Sequence, residues 1–366
     1  MLMIALTACG KAQEPAKSQE ENKTAEAAPT EFTVTDATGR EIFFESVPEK
    51  AVAIGHGMLK FYTYICGEDH LVGLEATETK GHTLNGQSIH YAYPKLRDIE
   101  IVGNGGPKFA PDYELLSYNN PDVIFVAYGN TAEELDAMQE KLGIPIVGVS
   151  GGKSGIIFDE DAYQTFEIIG KTLNKEKRAE ELIAFMKSAQ EDLKSRAGNI
   201  EESPKAYVGG CSFRGEQGIL STKTNNELFT ATNVHNIMDD ITNEPSIIID
   251  KEKLIEINPD LIIFDLSGKA KVMDEMATDP EFFKSLNAFN ENKVYPIMPY
   301  FTYGMNFDTA ILDAYYVGKT VYPDKFKDIN IEDKAKEIYE MFVGKDVYNE
   351  LMEYYPESFK EFKFED

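Results

Sequence analysis

The stretch DEDAYQTFEIIGKTLNKEKRAEELIAFMKSAQEDLKSRA, residues 159–197, predicts a long helical segment at the centre of the chain. It contains no proline and a single glycine, Gly170. In its second half, apolar residues recur at steps of three and four and form one stripe on an otherwise charged helix: Ala179, Leu182, Met186, Ala189 and Leu193. Asp159 is suited to cap its start, Asn174 is a candidate break between two helices, and the Gly198 region ends it. We expect a helix of this length to join two larger units.

The flanking sequences support this arrangement, because one pattern occurs on both sides of the helix. YELLSYNNPDVIFV (residues 113–126) and KEKLIEINPDLIIF (residues 251–264) both consist of a short helical segment, Asn-Pro-Asp and a continuous apolar run. Proline stops a helix, and a run that is apolar on both faces is typical of a buried parallel strand. A common α/β phrase occurring twice by chance is the alternative. We interpret the pattern as two similar lobes.

The predicted fold class is therefore α/β, with two Rossmann-like lobes built on mostly parallel central sheets. One long spine helix joins them, and a ligand cleft lies between them. We place the N-terminal lobe at residues 32–158, the spine at residues 159–198 and the C-terminal lobe at residues 199–366. A chain of 366 residues is long enough for two domains with full-sized cores.

The charge of the chain restricts its partners. The formal net charge is −27 at pH 7, which argues against nucleic acid and against direct docking on anionic lipid. An acidic surface could instead contact basic patches on a partner protein. No stretch after the N-terminus has the roughly twenty apolar residues that a membrane-spanning helix needs.

The N-terminus predicts attachment to a membrane surface. An apolar run leads into Leu6-Thr7-Ala8-Cys9, which resembles the lipobox of bacterial lipoproteins and implies that Cys9 carries the lipid. A secretory signal has a basic start and a longer apolar core than residues 1–9 provide, so we expect further residues upstream. Residues 10–31 are mostly Lys, Glu, Ala, Gln and Pro, and we expect a disordered tether. These features predict an extracytoplasmic protein anchored to the bacterial cell membrane.

Cysteine usage gives little further chemistry. Cys66 and Cys211 fall in different predicted lobes, and neither is part of a CxxC motif. We therefore expect no structural disulfide and no zinc finger. Cys66 is predicted to be a small buried hydrophobic residue.

The order of the elements carries a family resemblance. FTVTDATGREIFFE (residues 32–45) predicts a β-hairpin around Thr38-Gly39, and strands are predicted at residues 51–54, 71–74, 123–126 and 145–149. The opening TDATGREI…VPEKAVAI resembles the entry to the substrate-binding proteins of iron-complex (siderophore and haem) and cobalamin ABC importers, the periplasmic-binding class with a single helical spine. The similarity continues through the two Asn-Pro-Asp strands to AYYVGK and YPDKFKDINIEDKAKEIYEMF near the carboxyl end. Each motif is weak alone, but their order and spacing are specific.

The resemblance implies a ligand cleft lined by loops at the carboxyl ends of the strands. Aromatic side chains offer flat contact area, and Arg or Lys pairs with anionic groups of a chelate. Tyrosine and histidine can also ligate iron directly. The side chains that we predict to bind the ligand are Arg214, Tyr300, Tyr303, Tyr91, Tyr93, His56, Tyr128, Lys153 and Ser267.

Each of these residues also has an ordinary structural explanation. Arg214 could pair with Glu216, and Tyr300 and Tyr303 could be core aromatics. His56 could simply hydrogen-bond a strand end. His82 and His90, on the predicted loop 77–95, are expected to be solvated. In the family that the sequence resembles, one acidic surface residue on each lobe contacts the permease, and Glu75 and Glu216 are the candidates here.

The resemblance therefore implies a monomeric, membrane-tethered binding protein that captures a ferric siderophore or haem-like chelate and delivers it to the permease of an ABC importer. Closure around the stiff spine is expected to be modest. A cobalamin binder of the same class is an alternative. A direct binder of bare zinc or manganese is another, although only five histidines are available as ligands. An enzyme on a similar fold is the third. No nucleophile elbow, P-loop, HExxH or dinucleotide-binding pattern supports it, and we predict no catalytic residue and no intrinsic cofactor.

Overall fold

The computed structural model describes residues 31–108, 110–152, 156–198, 200, 202–212 and 215–362. Cys9, Lys153 and Arg214, three of the predicted functional residues, lie outside these ranges. So do the predicted signal segment, nearly all of the predicted tether, and Phe109.

The N-terminal lobe alternates strands and helices from residue 32 to residue 148. Its strands are β1 (Phe32–Thr35), β2 (Glu41–Phe44), β3 (Ala51–Gly55), β4 (Leu71–Glu75), β5 (Ile101–Gly103), β6 (Val123–Ala127) and β7 (Ile146–Gly148). Its helices are α1 (Met58–Cys66), α2 (Gly81–Asn85), α3 (Ser88–Ala92), α4 (Tyr113–Tyr118) and α5 (Ala132–Leu142). The predicted hairpin is present as β1 and β2, which pair in antiparallel orientation around a turn that contains Gly39 at φ 84°.

The central sheet of this lobe has the order β5-β4-β3-β6-β7, and its strands run parallel. Every residue of β3 and of β6 is buried, because the apolar runs pack on both faces. The order reverses direction between β3 and β6, so the loops after these strands open a crevice at the carboxyl edge of the sheet.

One part of the lobe differs from its prediction. Residues 77–95 were expected to form a loop, but α2, α3 and two short 3-10 segments, Ala76–Thr79 and Pro94–Asp98, occupy most of that range. The edge strand β5 was not predicted. It has only three residues, of which only the middle one is buried, so it carries almost no hydrophobic signal.

The predicted spine, residues 159–198, is divided into two helices at the candidate break. Helix α6 (Glu160–Thr172) and helix α7 (Glu176–Ala197) meet at Asn174, which has a left-handed φ of 54°. The side chain of Asp159 caps α6, as expected. Gly170 is required at the corner, because a Cβ there would lie 2.9 Å from the Cβ of Ala179. The helix that leads from one lobe to the other is therefore α7, with the predicted apolar stripe buried.

The C-terminal lobe has shorter strands and more helices. Its strands are β8 (Ala206–Gly209), β9 (Ser221–Lys223), β10 (Ser246–Ile248), β11 (Leu261–Asp265) and β12 (Val294–Ile297). Its helices are α8 (Glu227–Thr232), α9 (Lys251–Ile257), α10 (Lys269–Thr278), α11 (Pro280–Lys284), α12 (Asn287–Asn290), α13 (Phe307–Val321), α14 (Ile331–Val343) and α15 (Tyr348–Tyr354). A parallel sheet has the order β12-β11-β8, and β9 pairs with β10 in antiparallel orientation.

The sequence predicts a short strand at residues 219–220 and a helix over residues 226–240, and both are shifted in the structure. The helix expected over residues 226–240 ends at Thr232, because Asn233 adopts a left-handed φ of 51°, and a 3-10 segment follows at Ile237–Asp240. The strand expected at residues 219–220 begins two residues later, as β9.

The two Asn-Pro-Asp motifs have the same local structure. Asn120 and Asn258 have left-handed φ values of 45° and 40°, which end the preceding helix and turn the chain into the strand. The carboxylates of Asp122 and Asp260 then accept hydrogen bonds from the backbone N–H groups of Lys50 and Lys205, one in each lobe. The internal similarity seen in the sequence therefore corresponds to two equivalent helix-to-strand turns.

The C-terminal helices also return to the N-terminal lobe. The Tyr64 hydroxyl of α1 donates to the carboxylate of Asp308 in α13 at 3.0 Å, and the Tyr64 ring packs against that of Phe342 in α14 with centroids 4.9 Å apart. One apolar core accordingly runs through both lobes. The lobes are held by these contacts as well as by α7.

Candidate functional site

The carboxyl ends of four parallel strands of the N-terminal lobe converge on one cleft. Glu75 ends β4, His56 follows β3, Tyr128 follows β6, and Ser150 follows β7 after one further residue. The fifth contributor, Tyr303, comes from the other side, in the segment between β12 and α13.

Glu75 is the centre of a hydrogen-bonded cluster. The Tyr128 hydroxyl donates to Oε1 of Glu75 at 2.5 Å, and the Tyr303 hydroxyl donates to Oε2 at 2.7 Å. The two hydroxyl oxygens are 2.8 Å apart. Backbone N–H groups complete the cluster, since Gly55 donates to Oε2 of Glu75 at 2.9 Å and Gly106 donates to the Tyr303 hydroxyl at 3.1 Å. Burial raises the pKa of both tyrosines well above its ordinary value, so the phenols are protonated in this state.

An unusual backbone conformation places Tyr303 in the cluster. Its φ is 49°, in the left-handed region that bulky residues rarely adopt. Gly304 follows at φ 101°, and a Cβ there would lie 2.6 Å from Cα of Gly57. The Tyr303 carbonyl accepts from Gly57 N at 2.8 Å and from Lys60 Nζ at 3.1 Å. The segment is thus fastened to the N-terminal lobe at a close backbone contact that only glycine permits.

His56 packs against both tyrosines. Its ring is edge-on to Tyr128 and to Tyr303, with centroids 5.2 and 5.1 Å away. The preceding residue, Gly55, has φ 112° and leaves no room for a Cβ beside the backbone of Ala127. This tight strand end places the imidazole against both phenols.

A cavity of about 340 Å³ opens beside the cluster. Its walls come from the carboxyl-end loops of β3, β6 and β7 on one side and from the segment after β12 on the other. The lining includes His56, Tyr128, Gly129, Ser150–Gly152, Phe301, Met305 and Phe307. The wall is therefore aromatic, with several glycines that expose backbone groups.

A buried polar layer lies behind the cluster. The side chains of Glu78 and His90 are 2% and 1% exposed. Burial raises the pKa of Glu78 to about 7, and burial lowers the pKa of His90 to about 4. Lys60, also buried, donates to the carbonyl oxygens of Thr302 and Tyr303.

On the C-terminal lobe, the cation Lys223 lies near the cleft segment. Its Nζ lies 3.4 Å from Oε1 of Glu227 and 5.3 Å from the ring centroid of Phe301. Asp265 is buried near this pair, and burial raises the pKa of that carboxyl to about 6. The charge of Lys223 is thus partly compensated within the lobe.

Several predicted binding residues are not in the cleft. Tyr300 is 1% exposed, and its hydroxyl accepts from Asn226, so it is a core residue of the C-terminal lobe. Ser267 is buried and donates to the carbonyl of Gly210. Tyr91 donates to the carbonyl of Asn85, and Tyr93 lies against Gly67 at the far end of α1. His90, expected in solvent, is buried. The His82 side chain is not described.

The two residues predicted to contact a permease have different environments. Glu75 is 5% exposed and fully engaged with Tyr128, Tyr303 and Gly55, so it does not offer a surface carboxylate and that prediction is corrected. Glu216 is exposed, and its carboxylate accepts from the backbone of Lys271 at 3.3 Å. Its role at a partner surface stays a prediction.

Comparison with known proteins identifies the family. The sequence profile described as "Periplasmic binding protein" matches residues 86–300, more than half of the chain. The chain belongs to this family.

Similar proteins cover most of the chain. An uncharacterized ABC transporter substrate-binding lipoprotein, YvrC, of Bacillus subtilis is 24% identical over 332 residues, which is 89% of this chain and 95% of the relative. The Fe(3+)-citrate-binding protein YfmC of the same organism is 25% identical over 223 residues, 58% of this chain and 68% of the relative.

Solved structures share the fold. A periplasmic solute binding protein from Veillonella parvula superposes with a TM-score of 0.72 at 21% identity, covering 88% of this chain and 96% of that one. The molybdate-binding protein MolA of Haemophilus influenzae, solved with molybdate, has a TM-score of 0.66 at 18% identity and covers 86% and 98%. This periplasmic binding protein therefore has the two-lobed fold that the sequence predicts.

Sequence reasoning missed the role of Glu75 and the presence of Lys223 in this periplasmic binding protein. Glu75 is the last residue of a strand, and its position at a strand end was the available signal. Lys223 had no signal, since it ends a strand of three residues.

The described residues also lack two features. No group of three or more His, Cys, Asp or Glu side chains among them is arranged to hold a metal ion. No helix in the described part of the chain is long and apolar enough to cross a membrane.

Proposed function

We propose that this chain is the extracytoplasmic substrate-binding component of an ABC importer and that its cargo is a small iron complex. Family membership supports the transport role, and the names of the relatives YvrC and YfmC agree with it. The observation that carries the proposal is the cavity of about 340 Å³ at the strand ends, walled by aromatic side chains and bordered by an oxygen-rich cluster. Such a wall suits a compact chelate that offers both apolar and anionic surface.

Attachment to the membrane forms part of the proposal. The LTAC sequence at residues 6–9 and the lipoprotein named among the relatives both favour lipidation of Cys9. Residues 10–31, the predicted tether, would then connect the lipid anchor to the folded lobes. The permease remains the proposed partner, with exposed Glu216 as the candidate contact on the C-terminal lobe.

A thermal-shift panel on the Cys9→Ser chain tests the cargo. The panel contains ferric citrate, a ferric hydroxamate, a ferric catecholate, haem, cyanocobalamin, molybdate and bare Zn²⁺, Mn²⁺ and Ni²⁺. A ligand at one hundred times its Kd stabilises by about 2.7 kcal/mol, which raises Tm by several degrees. We expect a shift with an iron complex and none with the bare ions.

A matched pair of variants locates the binding. Phe301 lines the cavity, whereas Phe43 is 55% exposed on the distant hairpin. Phe301→Ala should reduce the shift, and Phe43→Ala should leave it unchanged. A shift with a bare divalent ion alone, or with cyanocobalamin alone, would overturn the iron-complex proposal. An identical shift in both variants would place the binding outside this cavity.

A further inference from the structure

One wall of the cleft cavity is a tight turn at residues 301–305, here called the cleft turn. It contributes Phe301 and Met305 to the lining, and these two residues pair in an isolated antiparallel bridge. Between them the backbone has a positive φ at two successive residues, 49° at Tyr303 and 101° at Gly304. A tyrosine in this region is strained, so the surrounding structure has to hold the turn in place.

Buried side chains of the N-terminal lobe hold the backbone of the cleft turn. The Nζ atom of Lys60 donates to the carbonyl oxygen of Thr302 at 2.8 Å and to that of Tyr303 at 3.1 Å, so one amino group joins two successive peptide units. Gln87 donates to the Thr302 carbonyl at 3.2 Å and to the Thr302 hydroxyl at 3.1 Å. The Tyr303 hydroxyl, in contrast, is held by Glu75. The backbone and the side chain of the turn are therefore held by different residues.

Lysine is an unusual choice at position 60. Helix α1 is buried from Met58 to Ile65, and Lys60 itself is 1% exposed. Lysine is almost never buried to this extent unless its charge is paired. Burial lowers the pKa of Lys60, so keeping a charge here costs free energy. An apolar side chain of similar length would avoid that cost.

The two carbonyls keep another donor without Lys60. Gln87 also donates to the carbonyl of Thr302, and the Gly57 N–H donates to that of Tyr303 at 2.8 Å. The contribution of Lys60 is therefore to fix both oxygens relative to one point on α1. A residue that costs stability and lies behind a ligand cavity is typical of a functional site.

We propose that Lys60 is a positioning residue of the cargo site, because it holds the cleft turn in the conformation that places Phe301 and Met305 in the cavity wall. Its effect on affinity rests on the proposed function, whereas its hold on the turn concerns the free protein. Both the ammonium and the neutral amine have the two N–H donors that the contacts use. The apparent affinity for cargo is proportional to the fraction of molecules in which the turn is held.

Lys60→Met in the Cys9→Ser chain tests the inference, because methionine keeps the length of the side chain and removes the donor. Lys177→Met is the control, since the Lys177 side chain is 90% exposed. All measurements are made at pH 6. The pKa of about 7 keeps folded Glu78 protonated there, so Lys60→Met does not leave that carboxylate charged and unpaired.

Three readouts separate positioning from an ordinary structural role. Hydrogen exchange by NMR reports the turn at the Gly57 amide, which donates to Tyr303, and the rest of the fold at the Ile262 amide of β11, which donates to the Lys293 carbonyl. Isothermal titration calorimetry gives the affinity for ferric citrate. Urea unfolding gives the stability of the whole chain.

We expect Lys60→Met to exchange at least about tenfold faster at the Gly57 amide and no faster at Ile262. Its affinity for ferric citrate should be at least about tenfold weaker. Its urea midpoint should be no lower than that of the parent, because a buried lysine has been removed. Lys177→Met should change none of the three readouts.

The other outcomes overturn the inference in distinct ways. Unchanged exchange at Gly57 would show that Lys60 does not hold the turn, and faster exchange at both amides with a lower urea midpoint would show a merely structural residue. Faster exchange at Gly57 with unchanged ferric citrate affinity would show that the held turn does not set binding.

Failure of the proposed function can be told apart from failure of this inference. If no iron complex in the thermal-shift panel stabilises the parent, the proposed function falls, and exchange at Gly57 in the free protein still decides whether Lys60 holds the turn. Should Lys60→Met not fold, the smaller Lys60→Leu is read in the same way. If neither variant folds, Lys60 is needed for the fold itself and the inference is overturned.

Discussion

At the residue scale, Glu78 and His90 make the stability of the fold depend on pH in opposite directions. Glu78 is buried, and its two carboxylate oxygens have no hydrogen-bond partner among the described residues. Burial raises its pKa to about 7, which the charge of Lys60 partly opposes and that of Glu75 reinforces. Burial lowers the pKa of His90 to about 4, and the charges of Arg97 and Lys60 act in the same direction.

Replacing Glu78 should abolish the decrease in the free energy of unfolding that this residue causes as the pH rises. The folded protein holds the Glu78 proton up to about pH 7, whereas the unfolded chain releases it near its ordinary pKa. Its contribution is therefore full at acidic pH and is lost as the pH rises through about 7. Between pH 5 and pH 8, we expect the free energy of unfolding of Glu78→Gln to rise by on the order of 1–3 kcal/mol relative to that of the parent. Urea unfolding at each pH measures it.

His90→Gln provides the opposite sign as a control. Folded His90 is neutral above about pH 4, while the unfolded chain takes up a proton near pH 6.5, so its contribution is lost as the pH falls. The His90→Gln variant should become less stable relative to the parent as the pH rises from about 4 to 6.5. Parallel pH profiles for the two variants would contradict both assignments.

At the scale of elements, the chain shows which parts of a fold are readable from sequence. The stripe on α7 and the mainly apolar strands β3, β6 and β11 were predicted closely, because a long periodic or continuous apolar run strongly favours one type of secondary structure. The three-residue strand β5 and the five-residue helices α2 and α3 were not, since elements this short carry too few positions for a period to show. The split of the spine depended on a single left-handed residue, Asn174.

The site was readable only in part, for a different reason. The predicted strand ends indicated that His56 and Tyr128 belong to the site. The contact between Glu75 and Tyr303 joins residues 228 positions apart and depends on the left-handed turn at Tyr303. No local pattern encodes such a contact. Tyr300 and Tyr303 are similar in sequence context, yet one is a core residue and the other is in the cleft.

Arg178 ties three helices together at the start of the spine helix. Its Nε donates to the carbonyl of Tyr64 at the end of α1 at 3.0 Å, and its Nη2 donates to the carbonyls of Met341 and Phe342 in α14. Burial lowers the pKa of this guanidinium, but the three carbonyls still hold its charge in place. Hydrogen bonds from a charged group are worth more than neutral ones.

Replacing Arg178 should destabilise the protein, whereas replacing its neighbour Lys177 should not. We expect Arg178→Met to lower the free energy of unfolding by about 2–3 kcal/mol, because buried helix-end carbonyls lose their donor. Lys177 is the matched control, since its side chain is 90% exposed, and Lys177→Met should change stability by less than about 0.5 kcal/mol. Urea unfolding measures both. Equal effects in the two variants would show that the Arg178 contacts contribute no net stability.

At the scale of the whole molecule, the chain crosses between the lobes near the cleft as well as along α7. Tyr300 is held in the C-terminal lobe by Asn226, whereas Thr302 is held in the N-terminal lobe by Lys60 and Gln87. The crossing therefore takes place at Phe301, which also lines the cavity. Helix α13, which follows, is anchored to the N-terminal lobe through Asp308. Because the chain crosses twice between the lobes and the lobes share one apolar core, they have little freedom to move relative to one another.

Lobe closure on binding should accordingly be small. We would attach spin labels at two exposed positions, Ala137→Cys in α5 and Asp274→Cys in α10, after replacing the three native cysteines with alanine. With ferric citrate we expect the distance between the labels to change by no more than about 2 Å, as in pre-organised binding proteins. A pair within one lobe, Glu114→Cys and Ala137→Cys, controls for label motion. A change of several ångströms between lobes but none within the lobe would contradict this prediction and would show that the Phe301 crossing and the spine bend together.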